Sequence, residues 1–247
     1  MKISAAIITK DAAADIGRCL ESLACVDEIV VLDTGSRDDT VAICRRHGAT
    51  VHAAEEWLGF GKMKAAVVAL TSHRWVLSID ADEELTPELN AAINNLPDEP
   101  DAAAFACNRL SRFLGKWIRH CGWYPDLVVR LFHKERARFN ERLVHEAVEP
   151  EGPVQRLDGL LLHYTYENLE QYLDKLNRYT SAAAAAAVSE GRSASVFGAF
   201  ARGKATFLRM WLLQAGFLDG WHGFALCLCS AYYVFAKYLK IWRMGRP

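Results

Sequence analysis

Two hydrophobic patterns alternate along the first hundred residues. Short apolar runs, which are typical of buried strands, are separated by stretches in which apolar residues recur at helical spacing. The predicted strands are Ile3 to Thr9, Glu28 to Leu32, Thr50 to Ala54 and Trp75 to Ile79. Because strand and helix alternate four times, we predict an α/β fold with a mostly parallel sheet flanked by helices.

Local signals set the ends of the predicted helices. Ser36 suits the N-cap of a helix from about 37 to 47, and a further helix is predicted over 62–72. Thr86 is placed to cap the next helix, with Pro87 at its first position. These signals support the alternating order of elements.

Polar residues follow three of the four predicted strands. In a parallel sheet, ligands gather beyond the carboxyl ends of the strands. We therefore expect one crevice to collect three turns, which are Thr9-Lys10-Asp11, Asp33-Thr34-Gly35-Ser36 and Asp80-Ala81-Asp82.

The third of these turns holds two carboxylates. If the chain stays extended, Asp80 and Asp82 project to the same side, about 7 Å apart at the backbone. Such a pair repels unless a cation lies between the groups, and a hard divalent cation bound to phosphate oxygens is a natural partner. The alternative is a surface turn of acids, because Glu83 and Glu84 follow directly.

The chain changes character after residue 100. Strand-like runs are predicted at Ala102 to Leu110, Leu127 to Phe132, Leu143 to Val148 and Leu160 to Tyr164. Asn168 is then a candidate N-cap for a long helix that runs through an alanine-rich stretch, and Gly191 is placed to end it.

The last fifty residues are apolar, aromatic and basic. Residues 197–218 and 221–242 both have helical spacing, and the longest charge-free run, 223–236, has 14 residues. That is short of the roughly 18 to 20 residues needed to span a bilayer. We predict amphipathic helices that lie in a membrane interface on anionic lipid; the alternative is a helix pair packed on its own domain or in a dimer.

The charge balance supports this interpretation. Residues 1–191 carry 21 Lys and Arg against 29 Asp and Glu, a net charge of −8, whereas residues 192–247 carry 8 against 1, a net charge of +7. The seven cysteines are odd in number and include no Cys-x-x-Cys pair, so we expect buried free thiols. The apolar stretch near the N-terminus is too short for the apolar region of a signal peptide, so we expect no export. We also expect no nucleic-acid partner.

Several motifs resemble those of family 2 glycosyltransferases. They are Ile7 to Asp11, Glu28 to Thr40 and Leu77 to Glu83. Further motifs resemble the lipopolysaccharide core β-glucosyltransferase branch of that family, namely Trp117 to Asp126, Arg130 to Phe132, Leu143 to Glu146, Leu162 to Tyr164 and Leu176 to Tyr179. The resemblance covers nearly the whole chain.

The resemblance implies a GT-A (Rossmann-like) fold, a nucleoside-diphosphate sugar donor and inversion at the anomeric carbon. It implies that Thr9, Lys10 and Asp33 hold the nucleotide. It also implies that Asp80 contacts the ribose, and that Asp80 and Asp82 bind the Mg²⁺ or Mn²⁺ ion that bridges the diphosphate.

One departure from the family lies in the donor site. Relatives usually have Gln-Lys-Asn after a glycine-containing loop, whereas this chain has Lys62-Met63-Lys64-Ala65. Lys64 keeps the basic position, which implies a contact with the donor, and Ala65 replaces an amide.

The resemblance also implies partners and a domain organisation. The donor would be UDP-glucose, the acceptor a lipid-linked glycan such as an inner-core heptose, and the location the cytoplasmic face of the inner membrane. We expect a glycosyltransferase domain over 1–166, with a nucleotide-sugar half (1–100) and an acceptor half (101–166). A membrane-associating extension would follow over 167–247.

Inverting transfer needs a base for the acceptor hydroxyl, and a carboxylate suits that role. Glu146 is the first candidate and Asp126 the second; the alternative for Glu146 is an ion pair with an arginine such as Arg142. His145 and His163 are candidates to complete the metal site or to have structural roles. Three aromatic residues are candidates to stack on a sugar or to fill the core, namely Trp117, Trp123 and Tyr124.

Other functions fit less well. Haloacid-dehalogenase phosphatases need Thr or Val where this chain has Glu84, and a dinucleotide-binding enzyme needs glycines after the first strand. A polyprenyl-phosphate sugar transferase differs only in the acceptor, and a catalytically inactive relative would bind nucleotide and membrane without turnover. The last two alternatives stay open at this point.

Overall fold

The computed structural model describes residues 1–140, 147–166 and 168–246. Its first half alternates strands and helices as the hydrophobic pattern predicts. In chain order these are β1 (Ile3–Thr9), α1 (Ile16–Glu21), β2 (Glu28–Asp33), α2 (Thr40–Arg46), β3 (Thr50–Ala53), α3 (Phe60–Ala69), β4 (Trp75–Ser78), β5 (Glu83–Leu85) and α4 (Pro87–Asn94).

The second half is richer in antiparallel strands and ends in three helices. Its strands are β6 (Ala104–Phe113), β7 (Lys116–Trp117), β8 (Leu127–His133), β9 (Ala137–Phe139), β10 (Val148–Pro150) and β11 (Val154–Tyr166). Its helices are α5 (Leu169–Ser189), α6 (Val196–Leu208) and α7 (Gly220–Met244). A π-helical turn (Arg209–Leu213) and a 3-10 turn (Gly216–Asp219) join α6 to α7.

One large sheet has the strand order β3-β2-β1-β4-β8-β6-β11-β5. The four N-terminal strands are parallel to one another, as predicted, and β8 runs antiparallel to β4. β1, β2 and β4 are buried on both faces, because their alternating side chains belong to two different hydrophobic clusters, whereas the edge strand β3 is partly exposed. This double burial explains why the strands appear in the sequence as continuous apolar runs.

The chain forms two compact units. The N-terminal unit comprises Met1–Arg109 and Asp126–His163, and the C-terminal unit comprises Leu110–Pro125 and Tyr164–Pro247. The sequence-based division after residue 166 stays a prediction about domains; the compact units differ from it in assigning residues 110–125 to the helical part of the chain.

The C-terminal unit has its own apolar core. Phe113, Ile118 and Cys121, from the segment around β7, pack with residues of α5 and α7 such as Tyr172 and Leu226. Helix α7 packs against both α5 and α6. The unit is therefore more than a helical tail, because the loop region before Asp126 is built into it.

One helical segment among the described residues, Gly216–Met244, is long and apolar enough to cross a membrane by length and composition. Only 28% of its most apolar window is buried inside the protein. Large apolar side chains of α6, α7 and the turns between them are exposed, including Phe197 (80%), Leu213 (84%) and Trp221 (84%).

Two caps were predicted correctly from the sequence. The hydroxyl of Thr86 accepts a hydrogen bond from the Leu89 N–H, with Pro87 at the first position of α4. The side chain of Asn168 accepts one from the Gln171 N–H at the start of α5. Both side chains satisfy backbone donors that the helix itself leaves unpaired.

The predicted Ser36 cap is wrong. Helix α2 begins only at Thr40, and its N-cap residue Asp39 makes no side-chain cap hydrogen bond. The Ser36 hydroxyl instead donates to the carboxylate of Asp33. The turn after β2 therefore uses Ser36 for its own hydrogen bonds, and the helix starts one turn later than predicted.

The cysteine prediction is confirmed. All seven cysteines are free, and all except the half-buried Cys229 are buried. Burial raises the pKa of the Cys107 thiol to about 12, so this thiol stays protonated and unreactive at neutral pH.

Candidate active site

The polar ends of β1, β2 and β4 lie at one edge of the sheet, because these strands are parallel neighbours. Thr9 and Asp33 are direct partners in the strand register. Both are nearly buried, and the Thr9 hydroxyl oxygen has no hydrogen-bond partner among the described residues. Lys10, the next residue, is exposed. The structure thus brings together the strand ends that the sequence predicted to share a crevice.

Asp33 shapes the turn that follows β2. Its carboxylate accepts hydrogen bonds from the Gly35 N–H (3.1 Å) and the Ser36 N–H (3.0 Å). Gly35 has a φ of 95°, a left-handed conformation that glycine adopts at no steric cost. The turn is tied to the first strand as well, since the Thr34 N–H donates to the Thr9 carbonyl at 2.9 Å.

Asp80 lies between two cations. One carboxylate oxygen is 2.8 Å from Lys64 Nζ, and the other accepts a hydrogen bond from Arg130 Nη2 at 2.9 Å. Burial alone would raise the pKa of Asp80, but Arg130 and Lys64 outweigh it and lower that pKa well below its usual range. Asp80 is therefore ionised and held in place by its two partners.

The extended geometry predicted for Asp80 and Asp82 is wrong. Residues 80–83 form a turn in which the Glu83 N–H donates to the Asp80 carbonyl at 3.0 Å. The Asp80 N–H in turn donates to the Glu83 carboxylate at 3.0 Å. The two aspartates consequently meet different partners instead of projecting side by side along a strand.

The buried carboxylate of Glu83 is the second acceptor of Arg130. Glu83 is only 1% exposed, and its carboxylate accepts a short hydrogen bond from Arg130 Nη2. Arg109 Nη1 lies 3.6 Å from the same carboxylate. Burial would lower the pKa of Arg130, but Glu83 and Asp80 raise it instead, so the guanidinium remains charged. The alternative prediction, a surface turn of acids, is therefore wrong for Glu83, because this residue is buried.

Asp126 closes the network at its other end. The side chain of Arg109 contacts Asp126 Oδ2 through Nε (2.9 Å) and Nη2 (2.8 Å). The backbone N–H of Arg109 also donates to the Asp126 carbonyl at 2.7 Å. Three cations thus face three carboxylates in a continuous chain: Lys64, Asp80, Arg130, Glu83, Arg109 and Asp126. A carboxylate paired this closely with a guanidinium is better suited to holding structure than to accepting a proton.

Asp82 and His163 form the part of the site that fits a metal ion. The Asp82 carboxylate is 39% exposed and lies 3.4 Å from His163 Nε2. A carboxylate next to an imidazole is a donor set that Mn²⁺ accepts. The described residues include no group of three or more His, Cys, Asp or Glu arranged for a metal, so further ligands would come from the diphosphate of a donor, as is usual for such ions.

Two predicted residues fall outside this description. Glu146 and His145 lie in the segment 141–146, which is not among the described residues. The assignment of Glu146 as base therefore stays a prediction, and so does its alternative pairing with Arg142.

Sequence reasoning missed the structural half of the site. Arg109, Glu83 and Arg130 connect Asp80 to Asp126, and none of them was a candidate. One signal was present: Arg130 interrupts an otherwise apolar strand, Leu127–His133, and a charge in a buried strand needs a buried partner.

Comparisons with known proteins identify the family. The sequence model of the family described as Glycosyl transferase family 2 matches residues 4–149. The chain is a family 2 glycosyltransferase. An uncharacterized glycosyltransferase of Rickettsia typhi (strain ATCC VR-144 / Wilmington) is 31% identical over 97% of this chain and 85% of that protein.

Two further similarities concern this glycosyltransferase along its whole length. The lipopolysaccharide core biosynthesis glycosyltransferase LpsC of Rhizobium meliloti (strain 1021) is 28% identical over 98% of this chain and 93% of that protein. The structure of a mannosyltransferase from Pyrobaculum calidifontis in complex with GDP-Man and Mn²⁺ is also similar. The match covers 99% of this chain and 88% of the mannosyltransferase chain, with a TM-score of 0.58 and 14% identity. The latter establishes that the fold is GT-A.

A third likeness is weaker. The structure of glucosyl-3-phosphoglycerate synthase from Mycobacterium tuberculosis with Mn²⁺, UDP and phosphoglyceric acid matches 44% of this chain and 43% of that one, at a TM-score of 0.37. That value is too low to carry over any property of the site.

Proposed function

We propose that this glycosyltransferase transfers glucose, with inversion, from UDP-glucose to an inner-core sugar of lipopolysaccharide. The observation that carries the proposal is the arrangement of Asp82 and His163 beside the anchored Asp80, next to the adjoining strand ends that hold Thr9 and Asp33. Ligands of open parallel sheets bind at this edge.

The donor half of the proposal assigns roles to individual residues. Thr9, Lys10 and Asp33 hold the nucleoside, and the ammonium of Lys64, which orients Asp80, faces the diphosphate. Asp80 and Asp82 are the proposed metal residues, with His163 as an additional ligand. Because both oxygens of Asp80 already have cationic partners, Asp82 and His163 carry most of the metal contact. A bound Mg²⁺ or Mn²⁺ ion would neutralise charge on the departing diphosphate.

The acceptor half requires a base near the acceptor hydroxyl. Glu146 is the proposed base. Asp126 is the weaker candidate, because its carboxylate is held by Arg109. The base takes the hydroxyl proton as the acceptor oxygen attacks the anomeric carbon from the face opposite the diphosphate, which gives inversion.

The acceptor class rests on similarity to LpsC along nearly the whole chain. A lipid-linked acceptor also agrees with the exposed apolar side chains of α6 and α7, among which Phe197 and Trp221 are prominent. We propose that these helices rest on the anionic cytoplasmic face of the inner membrane. Exposed Arg202, Lys204 and Arg243 are available for lipid headgroups.

One basic residue counted toward this surface has a different role. Lys240 Nζ donates hydrogen bonds to four oxygens of α5, at 2.7 to 3.0 Å: the Asn177 carbonyl and side chain, Thr180 and Ser181. Lys240 therefore holds α7 to α5, and we exclude it from the proposed lipid-binding set.

The proposal is tested first by donor binding. We expect UDP-glucose with Mn²⁺ to raise the melting temperature, because a ligand of the native state at a hundredfold excess over its Kd adds about 2.7 kcal/mol of stability. For a chain of this size that corresponds to a shift of about 5 to 10 °C. No shift with UDP-glucose, UDP-galactose or GDP-mannose, with or without Mn²⁺, would contradict the proposal.

The second step measures transfer. Radiolabelled UDP-glucose is incubated with lipopolysaccharide truncated to its inner core, and separately with polyprenyl phosphate. We expect label in the lipopolysaccharide. Label only in polyprenyl phosphate would favour the alternative acceptor, and donor binding without any release of UDP would identify an inactive relative.

A further inference from the structure

The C-terminal unit contains a cavity that the donor site does not use. It has a volume of about 120 Å³ and is lined by Arg112, Gly115, Tyr164 and Tyr166. For comparison, a cavity of about 150 Å³ accommodates a benzene-sized ring. The cavity is thus large enough for one charged substituent together with part of a sugar ring.

The local backbone places a cation and aromatic rings on one side of this cavity. β6 and β7 form a hairpin in which Arg112 pairs directly with Trp117, so both side chains lie on the same face. The tight turn between them uses Gly115, whose φ is 87°, and a Cβ at Gly115 would be 3.9 Å from Arg112 Nη2. The guanidinium therefore lies alongside the turn at the edge of the cavity.

Two tyrosines supply the aromatic lining of the cavity. The rings of Trp117 and Tyr164 meet edge to face with centroids 5.1 Å apart, and the Arg112 guanidinium lies 5.7 Å from the centre of the Tyr164 ring. Tyr166 lies two residues further along β11 on the same side of the strand, and Lys175 Nζ is 5.1 Å from its ring centre. Each of the two tyrosines that line the cavity therefore has a cation beside its ring, and Trp117 packs against one of them.

The positive charges of Arg112 and Lys175 have no ion-pair partner among the residues that the structure describes. No carboxylate there lies within salt-bridge distance of Arg112 or Lys175; the guanidinium and the ammonium contact ring faces instead. Both side chains are half-buried, which leaves them accessible to a ligand. A guanidinium in such a setting favours a carboxylate or phosphate that it can bind through two parallel hydrogen bonds.

We infer that this cavity binds an anionic sugar, with its phosphate or carboxylate on Arg112 and its ring against Tyr164 and Tyr166. The electronegative face of an aromatic ring attracts the weakly positive C–H groups of a sugar ring. This inference rests on the proposed function, since it makes the cavity an acceptor subsite that selects a glycan carrying a negative charge.

The test uses the full-length protein and simple probes. Saturation-transfer NMR measures binding of glucose 6-phosphate and of glucuronate, with glucose and inorganic phosphate as comparisons. We expect both anionic sugars to bind at least tenfold more tightly than glucose, and inorganic phosphate to compete with them. The two anionic probes distinguish a phosphate from a carboxylate as the preferred group. Equal binding of glucose and the two anionic sugars would overturn the inference.

Variants locate the binding. Arg112→Gln is expected to weaken binding of the preferred anionic sugar about tenfold or more, because it removes a charge-assisted hydrogen bond. Lys175→Gln provides a second variant in case Arg112→Gln does not fold. Arg138→Gln is the matched control: Arg138 is an exposed arginine of the N-terminal unit, and its loss should leave binding unchanged. Unchanged binding in Arg112→Gln and Lys175→Gln alike would overturn the inference.

The same samples separate this inference from the proposed function. Donor binding, measured by thermal shift with UDP-glucose and Mn²⁺, should be equal in wild type and Arg112→Gln. If the donor binds and no anionic sugar does, the cavity assignment fails while the proposed function stands. If anionic sugars bind through Arg112 and no nucleotide sugar binds, the cavity assignment stands as a sugar site and the proposed function fails.

Discussion

Asp80 Oδ2 and Arg130 Nη2 are 2.9 Å apart, and this contact joins the functional edge of the sheet to its buried scaffold. The same Nη2 atom also serves the buried carboxylate of Glu83. Arg130 on β8 therefore holds both ends of the turn that carries Asp82. The position of the proposed metal residue depends on a charge in a neighbouring antiparallel strand.

Replacing Arg130 tests this dependence. Arg130→Met keeps the volume but leaves Asp80 and Glu83 with too little positive charge, so we expect a loss of about 3 to 5 kcal/mol in the free energy of unfolding. Urea unfolding followed by circular dichroism measures it. Arg138→Met, whose ion pair with Glu151 is exposed and 3.9 Å long, should change stability by less than about 0.5 kcal/mol. Similar stabilities for the two variants would refute this role.

The metal prediction concerns Asp82. Asp82→Asn retains the shape of the side chain but removes the charge that attracts a divalent cation. We expect UDP-glucose to produce the same thermal shift with Mn²⁺ as with EDTA in this variant, and activity to be lost. His163→Gln should weaken the response to Mn²⁺ less strongly, since an imidazole contributes no charge. Metal-dependent turnover retained by Asp82→Asn would count against the assignment.

The base prediction concerns Glu146. Glu146→Gln should fold normally and bind UDP-glucose, yet lose transfer by about 10²- to 10⁴-fold, the range expected for a general base. Asp126→Asn is the comparison. If Asp126 holds Arg109 as described, its replacement reduces stability more than it reduces turnover per folded molecule. The reverse pattern, with near wild-type transfer in Glu146→Gln, would make Asp126 the base.

A pH dependence follows from Glu28. Its carboxylate accepts hydrogen bonds from Ser72 Oγ (2.7 Å) and the Ser72 N–H (2.8 Å), as well as from Ser4. Burial opposes ionisation, but these bonds lower the pKa of Glu28 below its usual value.

Because the folded pKa is the lower one, the stabilisation is complete above the unfolded value of about 4.3 and is lost as the pH falls through the folded value. Stability of the wild type should therefore fall below about pH 4.3, and Glu28→Gln should flatten this dependence. Glu56→Gln, at an exposed position, should not. The measurement is the urea midpoint of unfolding as a function of pH. If its slope below about pH 4.3 were identical in wild type and Glu28→Gln, the prediction would be contradicted.

Membrane association is tested on the exposed residues of α6, α7 and the turn between them. A variant with Phe197→Ser, Leu213→Ser and Trp221→Ser should bind phosphatidylglycerol vesicles at least tenfold more weakly than wild type, because it removes the apolar contacts. Binding of the wild type should weaken when salt is added, and it should also be weaker on vesicles made of phosphatidylcholine alone. The matched control replaces Trp57, Leu58 and Leu127, which are exposed in the N-terminal unit, with serine. Equal vesicle binding by both triple variants would exclude this surface.

Much of the N-terminal unit was accessible to sequence reasoning for a clear reason. Three of its four parallel strands are largely buried, and its helices have an apolar face, so the hydrophobic period and the turn residues largely specify the order and ends of these elements. Caps such as Thr86 depend on neighbours three residues away, and the sequence displays those neighbours. The errors occurred where a side chain had more than one possible partner: the Ser36 hydroxyl donates to Asp33, three residues before it, instead of capping a helix, and Glu83 pairs with Arg130, which is distant in sequence.

The sequence by itself determined the alternating strands, the polar strand ends with Thr9, Asp33 and Asp80, and the apolar, basic character of the last fifty residues. Only the tertiary structure decided that Arg130 and Lys64 neutralise Asp80, that Asp82 pairs with His163, and that residues 110–125 belong with the C-terminal helices. The physical reason is that an element's identity depends on local periodicity, whereas the partner of a buried charge depends on which strands the sheet makes neighbours. β8 and β11 reach their places through pairings distant in sequence, and no local pattern encodes them.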